Sequence, residues 1–199
     1  YNEYCQDIRS SGEYLLSVID DILDMSRIEA GRVSLEKQPI EVGAAIAKAL
    51  RLVAQAARQK GIEIDVDAAG DAAVVADPRA FQHVLLNLVQ NAIKFTGEAG
   101  RIAIRARPAG AAVNVFVEDT GIGIPPDGLK KLGRPFEQVE TEYCRSYKGS
   151  GLGLAIARSL CELHGGGLRI RSELGVGTIV MIHLPRHGAG APGEGATVH

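Results

Sequence analysis

Asn87, Asn91 and Lys94 recur at spacings of four and three within Asn87-Leu88-Val89-Gln90-Asn91-Ala92-Ile93-Lys94-Phe95. On a helix these spacings set all three on one stripe. Leu85, Leu88, Val89, Ala92, Ile93 and Phe95 follow the same periodicity and form an apolar side. Two amides and an ammonium in a row can hold a metal ion together with its phosphate ligands. Asparagine oxygens are hard ligands suited to Mg²⁺, which keeps several waters and is usually shared with substrate phosphates. Taken alone, the stretch reads equally well as the solvated face of an amphipathic helix.

Three glycine-rich blocks downstream change that balance. Asp119-Thr120-Gly121-Ile122-Gly123-Ile124-Pro125 directly follows the apolar run Val113–Val117. A strand ending in a carboxylate and a Gly-x-Gly turn sets one acceptor beside backbone that can approach a ligand closely. Gly149-Ser150-Gly151-Leu152-Gly153-Leu154 opens an apolar helical segment. Such a loop-to-helix junction presents free N–H groups and the positive end of the helix dipole to phosphate. Gly175-Val176-Gly177-Thr178 precedes another strand. A single glycine pair is usually only a turn; the blocks in this order are specific.

From about Ile8 to Pro185 the chain resembles the catalytic and ATP-binding domain of bacterial sensor histidine kinases, in the wider GHKL group with its Bergerat ATP-binding fold. Asn87–Phe95 resembles the N box, Asp119–Pro125 the G1 box and Arg134-Pro135-Phe136-Glu137-Gln138 the F box. Gly149–Leu154 resembles the G2 box and Gly175–Thr178 the G3 block. The resemblance implies that Asn91 coordinates Mg²⁺, while Asn87 and Lys94 contact phosphates or the metal's waters. Asp119 would accept from the adenine amino group, with Gly121 and Gly123 letting backbone near the base. Gly149, Gly151 and Gly153 would form the phosphate-side hinge of an ATP lid, and Ser150, Leu152 and Thr178 would also bind ATP. Phe136 would anchor that lid. Arg145 and Lys148 are candidates to meet the triphosphate, with Arg134 a further one.

One position separates the subgroups. In the hydrolysing relatives, a Glu four residues before the Mg²⁺-binding Asn activates water. Here that position is Asn87, an amide that takes no proton at neutral pH. Water activation is expected to be poor, as suits an enzyme delivering the γ-phosphoryl of Mg-ATP to a histidine, for relay to a response-regulator Asp. The alternatives are a nucleotide-binding pseudokinase acting as a docking scaffold, a GHKL ATPase, and a serine-directed kinase of the anti-sigma type. The family's phosphoacceptor block, of His-Glu-x-x-Arg-Thr-Pro type, does not occur in the sequence. His83, His164, His183, His187 and His199 all lie elsewhere and read as structural. The expectation is therefore a fragment that binds ATP and Mg²⁺ but carries no phosphoacceptor of its own.

Composition is consistent with this. The 199 residues suffice for one core plus an appendage, and a net charge of −2 gives no nucleic-acid footprint. No apolar run approaches the roughly 20 residues that span a bilayer. Three cysteines without metal spacing suggest a reducing cytoplasmic setting. This part is expected to make no direct membrane contact, although the intact protein could be anchored in the inner membrane.

The elements that must carry these blocks are legible in outline. Residues 1–31 read as one long helix with the seam Ile8, Gly12, Leu15, Ile19 and Ile22, stopped by Gly31. This helix is similar to the second helix of the dimerisation and histidine-phosphotransfer hairpin, which implies a homodimer in the intact protein and a receiver-domain partner. Residues 32–186 are expected to form the catalytic domain, and the Gly-, Ala- and Pro-rich residues 187–199 a disordered tail. Within the domain, Arg32–Leu35 reads as a short strand and Val42–Lys60 as a helix. Ile62–Val66 and Val74–Ala76 read as strands. Asp77-Pro78 starts the helix that runs to Phe95. Ile102–Arg107 and Val113–Val117 should pair through Ala109-Gly110. Leu129 and Leu132 suggest a helical turn or two, and Glu137–Lys148 a mobile lid. A helix from Ser150 to Leu163 and strands Leu168–Ser172 and Thr178–Leu184 complete the chain. The fold expected is α+β: a two-layer sandwich of a mixed, mainly antiparallel sheet with three helices on one face, preceded by a long helix.

Overall fold

The computed structural model describes residues 2–130, 132 and 150–186. The F box with Arg134 and Phe136, the lid candidates Arg145, Lys148 and Gly149, and the tail 187–199 lie outside the described residues.

Among the described residues, seven strands and five helices form an α+β fold. A long helix α1 (Asn2–Glu29) comes first, followed by β1 (Gln38–Glu41), α2 (Val42–Gln59), β2 (Glu63–Ala68) and β3 (Ala73–Ala76). Then come α3 (Pro78–Phe95), the hairpin β4 (Arg101–Ala109) and β5 (Ala112–Asp119), the single turn α4 (Pro126–Leu129), α5 (Gly153–Leu163), β6 (Gly167–Glu173) and β7 (Gly177–Pro185). The main sheet has the order β2-β4-β5-β7-β6. Within it β2 and β4 pair in parallel and the other neighbours are antiparallel. β1 and β3 form a separate antiparallel pair.

Period-two alternation sets which face of the sheet is covered. In β5, Val113, Val115 and Val117 are buried while Asn114, Phe116 and Glu118 are half-buried on the other face. Asp119 continues the inward parity, which is why a carboxylate lies on the core side. The three valines pack with Phe81, Leu85 and Leu88 of α3, Ile46 and Val53 of α2, and Ile156 and Leu160 of α5 in one cluster.

α3 shows how strongly local chemistry sets an element. Asp77 is its N-cap, accepting from the N–H groups of Arg79 and Ala80, with Pro78 at the first position. The second Asp77 oxygen accepts from Glu36 N–H at 2.9 Å, tying the chain before β1 to the helix start. Burial pushes the Asp77 carboxyl up, but the N–H donors of Ala80, Glu36 and Arg79 outweigh it and hold it below its ordinary value. The Asp77 N–H donates to Nε2 of the buried His164, whose Nδ1 lies 2.6 Å from the Leu160 carbonyl. That network requires the neutral Nδ1–H tautomer, and burial lowers the His164 pKa accordingly. Asp77→Ala is expected to cost about 1–2 kcal/mol in urea unfolding at neutral pH. Because the folded pKa is depressed, the contribution of Asp77 is present above pH 3.8 and lost as pH falls through the folded value.

Two elements differ from the sequence expectation. Arg32–Leu35 is not a strand: Val33 and Leu35 alternate in burial as a strand would, yet among the described residues no neighbouring strand pairs with them. The strand is instead Gln38–Glu41, with Pro39 opposite Val75. Proline is tolerated there because a two-stranded sheet consists only of edges, so its missing N–H can face away from the ladder. The final helix starts at Gly153 rather than Ser150. Before it, the Ser150 hydroxyl accepts from Leu152 N–H in a local turn that competes with helix.

α1 ends as expected. Gly31 takes φ +64°, and Arg32 N–H returns to the Arg27 carbonyl, closing the last turn. Its C-terminal part meets the core through Met25 and Ile28. Ile8, Leu15, Leu16, Ile19, Ile22 and Leu23 are exposed. Among the described residues no helix is long and apolar enough to cross a membrane.

Candidate nucleotide site

A cavity of about 310 Å³ collects most of the residues singled out by the sequence. Asn87, Asn91 and Lys94 of α3 line it, as do Asp119 at the end of β5, Gly123, Ser150 and Gly151 before α5, Gly153 at its start, and Thr178 of β7. Gly121 and Leu152 do not line it. Gly121 N–H donates to Asp119 Oδ1 at 2.9 Å, and Leu152 is fully buried beneath the turn.

The cavity also has apolar lining, part of it from outside the motifs. Val117, Ile122, Ile124, Ile170 and Val180 line it together with Asp119. Strand parity could have found Val117 and Val180, because both lie opposite one another in the β5–β7 register with inward side chains. Ile170 comes from β6, next in the sheet, and only the strand order brings it there. A buried carboxylate within an apolar wall suits a flat, largely apolar ring bearing one polar donor. Burial raises the Asp119 pKa above its ordinary value, and the N–H groups of Gly121 and Thr178 partly offset this.

Polar side chains line the same cavity. Asn91 is half-buried, and its amide has no hydrogen-bond partner among the described residues. A hard amide oxygen in that position suits Mg²⁺, and no cluster of three His, Cys, Asp or Glu among the described residues offers a dedicated cage. Asn87 also braces the site: its Nδ2 donates to the Gly153 carbonyl at 3.0 Å, tying α3 to the start of α5. The Lys94 ammonium lies 5.0 Å from the centroid of the Phe95 ring.

The glycines of the G1 and G3 blocks answer first to the protein itself. A Cβ on Gly123, at φ +66°, would stand 1.9 Å from the Glu173 carbonyl oxygen. One on Gly177 would stand 2.0 Å from the Asp119 carbonyl oxygen. These two positions let the β6–β7 turn close over the loop that carries Asp119.

α1 also reaches the cavity. Tyr14, Ser17, Val18 and Asp21 line it, and the Ser150 hydroxyl donates to Asp21 Oδ2 at 2.7 Å across 129 residues of chain. Nothing in the local sequence of α1 signals this contact. Of the five histidines, His83 lies 3.6 Å from Asp24, and His183 Nδ1 is 2.6 Å from Asn114 Oδ1. His187 and His199 lie outside the described residues. Cys161 fills core space, and burial pushes its thiol up to about 12.

Residues 76–188 match the family described as histidine kinase-, DNA gyrase B- and HSP90-like ATPase. An uncharacterised sensor-like histidine kinase of Rhizobium meliloti is 44% identical over 190 residues, covering 95% of this chain and 36% of the relative. Full-length ShkA, solved in complex with AMPPNP, superposes with a TM-score of 0.81 at 32% identity over 96% of this chain and 40% of that one. The histidine kinase ThkA, solved in complex with the response regulator TrrA, gives 0.76 at 28% identity over 94% and 51%. The chain belongs to the histidine kinase-, DNA gyrase B- and HSP90-like ATPase family and, within it, is a catalytic ATP-binding domain of the sensor histidine kinase type. It spans little more than a third of the Rhizobium relative's length.

Proposed function

We propose that this chain is the Mg-ATP-binding catalytic part of a two-component sensor kinase, transferring the γ-phosphoryl to a histidine outside these 199 residues. The observation that carries the reading is one cavity lined by Asp119 and the apolar Val117, Ile122, Ile170 and Val180 together with Asn91, Lys94, Ser150, Gly151 and Gly153. Asp119 accepts from the adenine amino group. Asn91 offers its oxygen to Mg²⁺, and Lys94 faces the phosphates. Mg²⁺, when bound, neutralises charge that develops on the phosphates. In the transfer, the bond between the γ-phosphorus and the bridging oxygen of ADP breaks and a bond to an imidazole nitrogen forms. The protein's share is positioning and charge compensation. Asn87, already bonded to Gly153, supplies no base for water, so hydrolysis stays slow.

Residues 1–31 act in this reading as the second helix of the dimerisation hairpin, and residues 32–186 as the catalytic domain. The exposed seam of Ile8, Leu15, Ile19 and Ile22 supports pairing with a further helix and a second copy. A response-regulator receiver domain is the onward acceptor, as the ThkA complex with TrrA suggests by likeness. The chemistry takes place in the cytoplasm.

Calorimetry with ATP and Mg²⁺ on this chain tests the first step. Magnesium-dependent binding, followed by acid-labile, base-stable phosphate on an added phosphotransfer hairpin, is the expected result. A folded chain that binds no ATP overturns the reading in favour of a docking scaffold.

A further inference from the structure

The C-terminal end of α3 offers carbonyls that no further turn can satisfy. Thr96 N–H bonds to Ala92, the last regular pairing of the helix. The next four carbonyls are those of Ile93, Lys94, Phe95 and Thr96. Phe95 accepts from Ile122 N–H at 3.2 Å, within the Asp119–Pro125 loop. The other three accept from one side chain: Lys60 Nζ lies 2.7 Å from the Ile93 oxygen, 2.9 Å from that of Lys94 and 2.9 Å from that of Thr96. An ammonium has three N–H donors, and each finds an oxygen at the negative end of a helix.

Lys60 stands at the C-cap of α2 and lines no part of the nucleotide cavity. Its own carbonyl accepts from Ala99 N–H, and Glu63 N–H donates to Gly100. The turn after α3 is thus anchored at both ends to the α2–β2 connection. Ile122 closes the chain of contacts, because its carbonyl accepts from Gly175 N–H in the β6–β7 turn. One side chain therefore holds the turn that carries Lys94, and through the Phe95 carbonyl it holds the loop that carries Asp119.

We propose that Lys60 is a positioning residue for nucleotide binding: it sets the last turn of α3 so that the Lys94 side chain and the Asp119–Gly123 loop hold their places together. The proposal rests on the ATP-binding reading above. It requires the ammonium's several donors rather than its charge or bulk alone. Lys60→Met keeps the length and removes the donors. Lys60→Arg keeps charge and several N–H groups.

The experiment is calorimetric titration of the 199-residue wild type, Lys60→Met, Lys60→Arg and Asp77→Ala with ADP. It is combined with apo melting temperatures and amide exchange at Ile122. Asp77→Ala removes the cap at the opposite end of α3 and controls for lost stability. Lys60→Met is expected to weaken ADP binding at least tenfold and to speed Ile122 exchange by a similar factor. Lys60→Arg should stay within threefold of wild type, and Asp77→Ala should bind ADP normally despite its lower melting temperature. Normal affinity in Lys60→Met with a lowered melting temperature makes Lys60 a structural cap only and overturns the proposal. Should Lys60→Met fail to fold, Lys60→Gln decides, with weakened ADP binding and faster Ile122 exchange expected and wild-type affinity refuting. A wild type that binds no ADP removes the ATP-binding reading itself, and the proposal falls with it.

Discussion

Asn91→Ala is expected to lower phosphoryl transfer to an added phosphotransfer hairpin by about a hundredfold or more, the scale seen when one preorganised charge-stabilising group is lost. Asn91 lines the cavity, and its amide is unpartnered among the described residues. Removing it therefore breaks no hydrogen bond among them. Stability should hardly change, and metal-free ADP binding should stay within a few-fold of wild type, because Asp119 and the apolar wall are untouched. The loss should appear in the magnesium dependence: more Mg²⁺ is needed to reach a lower plateau. Single-turnover transfer across a magnesium series, with melting temperature measured alongside, checks this. Transfer within threefold of wild type would remove Asn91 from the metal site.

Asp119→Asn is expected to weaken ATP and ADP binding by about 1–3 kcal/mol, roughly five- to 150-fold. The amide can still offer an oxygen but lacks the charge that would strengthen a bond from an adenine amino donor. The same residue predicts a pH dependence. Burial raises its pKa above 3.8, so on acidification the carboxylate is lost earlier than an ordinary Asp would be. Wild-type affinity should fall as pH drops through that raised value, whereas Asp119→Asn should lack this acid limb. Stability runs the opposite way. A raised folded pKa means that the Asp119 contribution is fully present below pH 3.8 and lost as pH rises through the folded value. At neutral pH the ionised carboxylate thus burdens the apo fold, and Asp119→Asn should melt at or slightly above wild type while binding nucleotide worse. Such opposition between stability and function is the mark of a binding group rather than a core group. Calorimetry and melting from about pH 4 to about pH 8 test both limbs. Equal affinity in mutant and wild type would detach Asp119 from the adenine.

The site was legible where its chemistry is local. Asp77-Pro78 marks the start of α3, the three-and-four spacing from Asn87 to Lys94 marks its polar stripe, and Ala109-Gly110 marks the β4–β5 turn. Asp119 could be read as inward because Val113, Val115 and Val117 set the parity before it. Each is a relation between residues a few positions apart, where one backbone geometry dictates which side chains share a face.

What only the tertiary structure decided depends on partners far along the chain. Arg32–Leu35 and Gln38–Glu41 are both short, and pairing with Ala73–Ala76 makes the second one the strand. β2 runs parallel to β4, a pairing across the whole of α3 that no local signal announces. Lys60 is an ordinary charged residue near a helix end until α3 brings three carbonyls to it. Asp21 belongs to an amphipathic helix until packing sets it 2.7 Å from Ser150. Sequence alone determined the donors, acceptors and periodicities of this domain. The tertiary structure decided which of them meet, because a contact between distant residues depends on the closure and packing of everything between them.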